Sequence, residues 1–101
     1  MNIQIRGIGI PPTEALTAHI ERRIAFALSR FYARMDRIVV RFSDLNGPKG
    51  GQDKVCQVGF TLRGMAPEIV EAKDADLYSA IDLAAAKAGR RMARLIERSQ
   101  Y

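Results

Sequence analysis

The chain is poor in the side chains that carry most catalysis. It has 101 residues, with one cysteine, Cys56, and one histidine, His19. A lone cysteine excludes an internal disulfide and fits a reducing, cytoplasmic setting. One cysteine and one histidine cannot build a zinc site. Alternation turns Cys56 inward on a strand, and periodicity puts His19 on a helix. A small buried thiol is therefore expected rather than a Cys–His dyad. Asp74, Asp76 and Asp82 are accounted for by helix-start electrostatics, which leaves no carboxylate cluster for a metal. Neither enzymatic activity nor a cofactor, metal or small-molecule substrate is expected. No apolar run reaches the ~20 residues that span a bilayer. The opening MNIQIRGIGI lacks the charged start and long apolar core of a signal peptide, so no membrane partner is expected. Repeats, low-complexity tracts and linkers are missing, and residues 1–101 read as one domain.

What the chain does have is apolar residues and positive charge. Hydrophobic residues make up 48%, which argues against disorder. Lys and Arg number 16 against 11 Asp and Glu, a formal charge of +5. That balance points to nucleic acid or another anionic surface.

The last stretch, Asp74 to Ser99, organises the rest. Leu77, Ile81, Ala84, Ala85, Ala88, Met92 and Leu95 repeat at helical spacing and form a core-facing stripe. Lys87, Arg90, Arg91, Arg94 and Arg98 gather on the opposite side. Asp74 is expected as the N-cap, with Asp76 in the first turn and Asp82 in the second. Cationic last turns also suit the helix dipole, so a merely solvated face is the competing account. The clustering argues against it. Like charges at this spacing repel by a few tenths of a kcal/mol per pair, and few acids are interleaved.

Upstream, Asn2 to Gly7 alternates as a half-buried strand. Pro12-Thr13-Glu14 starts a helix expected to reach Phe31 or Tyr32, with Leu16, Ile20, Ile24, Ala27, Leu28 and Phe31 as its apolar stripe. His19, Arg22 and Arg30 lie off that stripe, with Phe26 beside them. Strands follow at Asp36–Leu45, Lys54–Arg63 and Glu68–Lys73. Ile38, Val40 and Phe42, then Cys56, Val58, Phe60 and Leu62, then Val70 and Ala72, point inward. The expected fold is α+β, in the order β-α-β-β-β-α. A four-stranded mixed sheet carries two helices on one face. Strand 1 pairs parallel to a neighbour, and the last three strands form an antiparallel meander. The open sheet face, with Gln4, Arg6, Arg41, Gln57, Thr61 and Arg63, should be polar and mildly basic. It lacks exposed aromatics, which disfavours a sheet platform for stacked bases and favours phosphate contacts from helices. Tyr78 is expected to pack rather than to stack on a base.

The loop Asn46 to Lys54, NGPKGGQDK, is rich in glycine and carries Lys49. It runs into a strand and does not have P-loop spacing. It is either a hairpin loop with glycines at positive φ or a basic finger that touches RNA or another protein.

DLYSAIDLAAAKAGRR resembles the signature of the ribosome hibernation promoting factor and ribosome-associated inhibitor A family. Asp76, Leu77, Tyr78, Ala80, Ile81, Asp82 and Lys87 carry the resemblance, and Thr13-Glu14-Ala15-Leu16 resembles the opening of the family's first helix. The resemblance implies a factor that binds the small ribosomal subunit and its 16S rRNA, in the channel used by mRNA and tRNA. It would inhibit translation under stress or in stationary phase. Carried over by position, the RNA contacts are Lys87, Arg90, Arg91 and Arg94 on the last helix and Arg22 and Arg23 on the first; Arg98 and Lys49 are further basic candidates. The glycine-rich loop and the small residues Ala84-Ala85-Ala86 and Gly89 depart from the family pattern. The chain resembles the short forms, which lack a dimerisation domain. The alternative is a protein-interaction module that regulates another factor through the Gly-rich loop or the open sheet face.

Overall fold

The computed structural model describes residues 1–45 and 53–99. Its elements are β1 (Ile3–Ile8), α1 (Glu14–Leu28), a 3₁₀ segment (Ser29–Arg34), β2 (Met35–Asp44), β3 (Lys54–Leu62), β4 (Glu68–Asp74) and α2 (Leu77–Ser99). Among the described residues the strands form one sheet in the order β1-β2-β3-β4. β1 runs parallel to β2, and the other two pairings are antiparallel. The expected α+β class, element order and mixed sheet are all present. Asn46 to Gln52, and Lys49 with them, lie outside the described residues.

Alternation decides what the sheet buries. Ile5, Val40, Val58 and Val70 stand in register across all four strands. The next inward row is Gly7, Phe42, Cys56 and Ala72. Gly7 is required there. A Cβ at that position would fall 1.8 Å from the Ile10 carbonyl oxygen and 2.9 Å from the Phe42 ring.

α1 lays Leu16, Ile20, Ile24 and Leu28 on this face, all buried. α2 adds Ala80, Ile81, Ala84, Ala85, Ala88 and Met92. The two helices and the inner sheet face share one hydrophobic cluster. Full burial of each Ile, Leu or Phe contributes about 1.5–3 kcal/mol. Gly89 sets the helix spacing: a Cβ on it would sit 3.2 Å from the Ala27 carbonyl oxygen. The close approach it permits is to the backbone of α1.

Two boundaries differ from expectation. α1 ends at Leu28, short of Phe31 and Tyr32. Leu28 leaves helical geometry (φ −123°, ψ −8°), and the 3₁₀ segment turns Phe31 and Tyr32 onto the core while feeding the chain into β2. Thr13 caps the start of α1, its hydroxyl accepting from the Leu16 N–H at 3.1 Å. At α2 the cap is Asp76, not Asp74. Asp76 Oδ1 accepts from the Tyr78 N–H at 3.3 Å, and Oδ2 accepts from the Ser79 hydroxyl at 3.1 Å. Asp74 is held in β4 by its pairing with Lys54, and its carboxylate accepts the Asp76 N–H instead.

The open sheet face is less polar than its sequence indicates. Arg6, Arg41, Gln57 and Glu71 form one row across it, and Gln57 donates to Glu71 at 2.9 Å. The flanking rows bring Val39 and Ile69 on one side and Ile8 and Val55 on the other. Val39 and Val55 are buried among their longer neighbours, whereas Ile8 and Ile69 are exposed.

Candidate nucleic-acid interface

The basic residues of α2 divide into two groups. Arg91 and Lys87 face β4. Arg91 Nε donates to Glu68 Oε1 at 2.8 Å, and Lys87 Nζ donates to the Glu71 carbonyl at 2.8 Å. Both tie the helix to the sheet edge, and Lys87 covers a backbone acceptor that an added strand would otherwise use. Lys87 keeps two further N–H donors for another ligand. Arg90, Arg94 and Arg98 are exposed and reach outward. Lys87, Arg90, Arg91 and Arg94, with Val70 and Glu71, line a shallow groove between α2 and β4 of about 370 Å³.

α1 and the 3₁₀ segment after it contribute a second set. Arg22 is exposed. Arg23 is half-buried, with its Nε 3.2 Å from Asp82 Oδ1. The same oxygen meets His19 Nε2 at 2.7 Å, and the His19 ring stands edge-on to Tyr78 at 4.8 Å. Tyr78 therefore packs against a neighbouring ring. The cluster of His19, Arg23, Tyr78 and Asp82 binds the N-terminal half of α2 to α1. Arg30 lies 4.6 Å over the Phe31 ring.

Among the described residues, no carboxylate pairs with Arg22, Arg30, Arg90, Arg94 or Arg98. Arg90 borders both the α2–β4 groove, which Arg94 also lines, and a cleft between α1 and α2, which Arg30 also lines; Arg22 and Arg98 line neither. That cleft is lined by Arg23, Phe26, Ala27, Arg30, Ala85, Ala86, Gly89 and Arg90. The structure thus brings the expected Lys87, Arg90, Arg91 and Arg94 together, and adds Arg30 and Phe26, which the sequence reading did not select. Their signal was present. Both lie off the Leu16–Ile20–Ile24–Leu28 stripe, where a basic or large aromatic side chain must face solvent.

The chemistry of this surface is that of anion contact. Guanidinium groups bind phosphate oxygens with paired N–H donors, which suits an RNA backbone. Cys56 is fully buried, and burial pushes its thiol up to about 12, so it stays protonated. His19 is committed to Asp82. Among the described residues no group of three or more His, Cys, Asp or Glu could hold a metal, and no helix is long and apolar enough to cross a membrane.

No curated protein sequence matches the chain. Solved structures are similar to it, and two of them show the likeness. The N-terminal domain of Protein Y from Thermus thermophilus shares 31% identity at a TM-score of 0.76, over 94% of this chain and 99% of that one. A ribosomal subunit interface protein from Coxiella burnetii shares 22% identity at a TM-score of 0.81, over 96% of this chain and 99% of that one, and shows the common fold. Residues 3–100 match the model of the sigma 54 modulation protein / S30EA ribosomal protein family. The chain belongs to this family of ribosome-associated proteins, the one to which the signature of its last helix pointed.

Proposed function

We propose that residues 1–101 form a single ribosome-associated inhibitor-like domain that acts without catalysis in the cytoplasm. It binds the small ribosomal subunit in the mRNA and tRNA channel, against 16S rRNA, and inhibits translation under stress or in stationary phase. One observation carries the reading. Arg22, Arg30, Arg90, Arg94 and Arg98 project from α1, the 3₁₀ segment and α2 with no carboxylate paired to them among the described residues. A helix face that only meets water gains from interleaved acids. A face that meets phosphates gains from their absence.

Lys87 adds its spare donors to this set. Arg91 and Arg23 contribute to the positive field but act first as ties to Glu68 and Asp82. Lys49, outside the described residues, is proposed as a further phosphate contact. Membership of a ribosome-associated family supports the ribosome as the source of the RNA.

The test is the triple variant R90E/R94E/R98E in sucrose-gradient sedimentation with small subunits and whole ribosomes. We expect loss of co-migration with an unchanged circular dichroism spectrum. Unchanged co-migration would overturn this choice of binding face. It would favour the second reading, a protein-interaction module on the open sheet face, where Ile8 and Ile69 are 58% and 64% exposed.

A further inference from the structure

We infer that the cleft between α1 and α2 is a seat for one unpaired nucleobase, with Phe26 as its stacking surface and Arg30 and Arg90 as its phosphate contacts. Phe26 is 82% exposed, the most exposed large hydrophobic residue among those described. It does not serve the core, since Leu16, Ile20, Ile24 and Leu28 fill the inner face of the same helix. Leaving a phenyl ring in water forfeits most of the free energy its burial would contribute. The ring stands at the rim of a cleft whose floor is Ala27, Ala85, Ala86 and Gly89. These side chains stop at Cβ or are absent, so the floor is low and apolar.

The walls are cationic. Arg23 holds its guanidinium 5.3 Å from the Phe26 ring centroid, and Arg30 and Arg90 flank the cleft. No carboxylate lines it. An exposed aromatic face and a low apolar floor select a planar ring. Arg23 is tied to Asp82, but Arg30 and Arg90 have no carboxylate paired to them among the described residues, and two such guanidiniums select an anion. A nucleotide with an accessible base satisfies both demands, whereas an acidic peptide or an aliphatic anchor satisfies one. A base inside a duplex cannot present its face to Phe26, so the target is single-stranded.

This inference rests on the RNA-binding reading but adds to it a base contact and a residue. The chain has no tryptophan, so F26W places a single fluorescent reporter at the seat. The variant is titrated with a short single-stranded oligouridine, with an abasic oligomer of the same charge, and with a Glu/Phe peptide. We expect quenching by oligouridine and none by the abasic oligomer. In the otherwise native chain, F26A should weaken oligouridine binding by roughly 5- to 100-fold, the range for loss of one base–aromatic stack, and leave abasic binding unchanged.

Equal affinity of F26A and the native chain for oligouridine overturns the base seat, as does quenching by the peptide alone. The two readings fail separately. If F26A binds oligouridine and ribosomes as the native chain does, the seat is refuted and ribosome binding stands. If F26W is quenched by oligouridine and not by the abasic oligomer, but the native chain does not sediment with ribosomes, the seat stands and the ribosomal assignment fails.

Discussion

Gly89 fixes the distance between α1 and α2, and replacing it separates packing from helix propensity. A Cβ there would sit 3.2 Å from the Ala27 carbonyl oxygen and 3.8 Å from both Ala27 Cβ and Leu28 Cδ2. G89A gains about 1 kcal/mol of helix propensity. Against this, α1 must yield by a few tenths of an ångström at Ala27. The two effects nearly offset, so G89A should lie within about 1 kcal/mol of the native chain. G89L has almost the same propensity as G89A but drives three further carbons into a gap already in contact. Overpacking of this kind costs about 1–3 kcal/mol. For a chain of this size that corresponds to a Tm roughly 5–20 °C below that of G89A. Thermal unfolding followed by circular dichroism reads the difference. Equal Tm values for G89A and G89L would refute a helix spacing set by Gly89.

Three other outcomes are expected. R90Q/R94Q should reduce the salt dependence of RNA binding from a log–log slope of about −4 to about −3, at ~0.7 per phosphate contact on single strands, as measured by fluorescence polarisation across a salt series; an unchanged slope would mean that these arginines touch no phosphate. K54M should lower the Tm, because the Asp53 side chain is fully buried with its Oδ1 held by Lys54 at 3.0 Å and its Oδ2 without a hydrogen bond among the described residues, and the double variant K54M/D53N should recover part of the loss. Cys56 should make stability fall in alkali: its thiol titrates near 9.0 when unfolded and near 12 when buried, so only the unfolded chain loses the proton between those values. At pH 10 the loss is about 1.4 kcal/mol, visible in urea melts and missing in C56A.

The sequence made the fold legible because its two periods are clean. Ile38, Val40 and Phe42 alternate, and Leu16, Ile20, Ile24 and Leu28 repeat every four residues; each pattern leaves one side to bury. Ends were harder to read. Asp74, Asp76 and Asp82 all suit a helix start, and the choice of Asp76 follows from the β3–β4 register, a long-range pairing. The end of α1 was hidden because Ser29 to Arg34 contains no glycine or proline to mark it. The site was legible in part. Helical spacing grouped Lys87, Arg90, Arg91, Arg94 and Arg98, but it could not separate Arg91, which meets Glu68, from Arg90, which pairs with no carboxylate among the described residues. That distinction needs the strand opposite. Arg30 and Phe26 joined the site only once α1 and α2 were seen to touch at Ala27 and Gly89.

Co-sedimentation of the native protein with separated ribosomal subunits and whole ribosomes, at low and high salt, tests the central claim most directly. Co-migration with small subunits and whole ribosomes is expected at roughly 50 mM salt, with at least about a 100-fold loss of affinity by 200 mM. Protein that stays at the top of the gradient at low salt would contradict it.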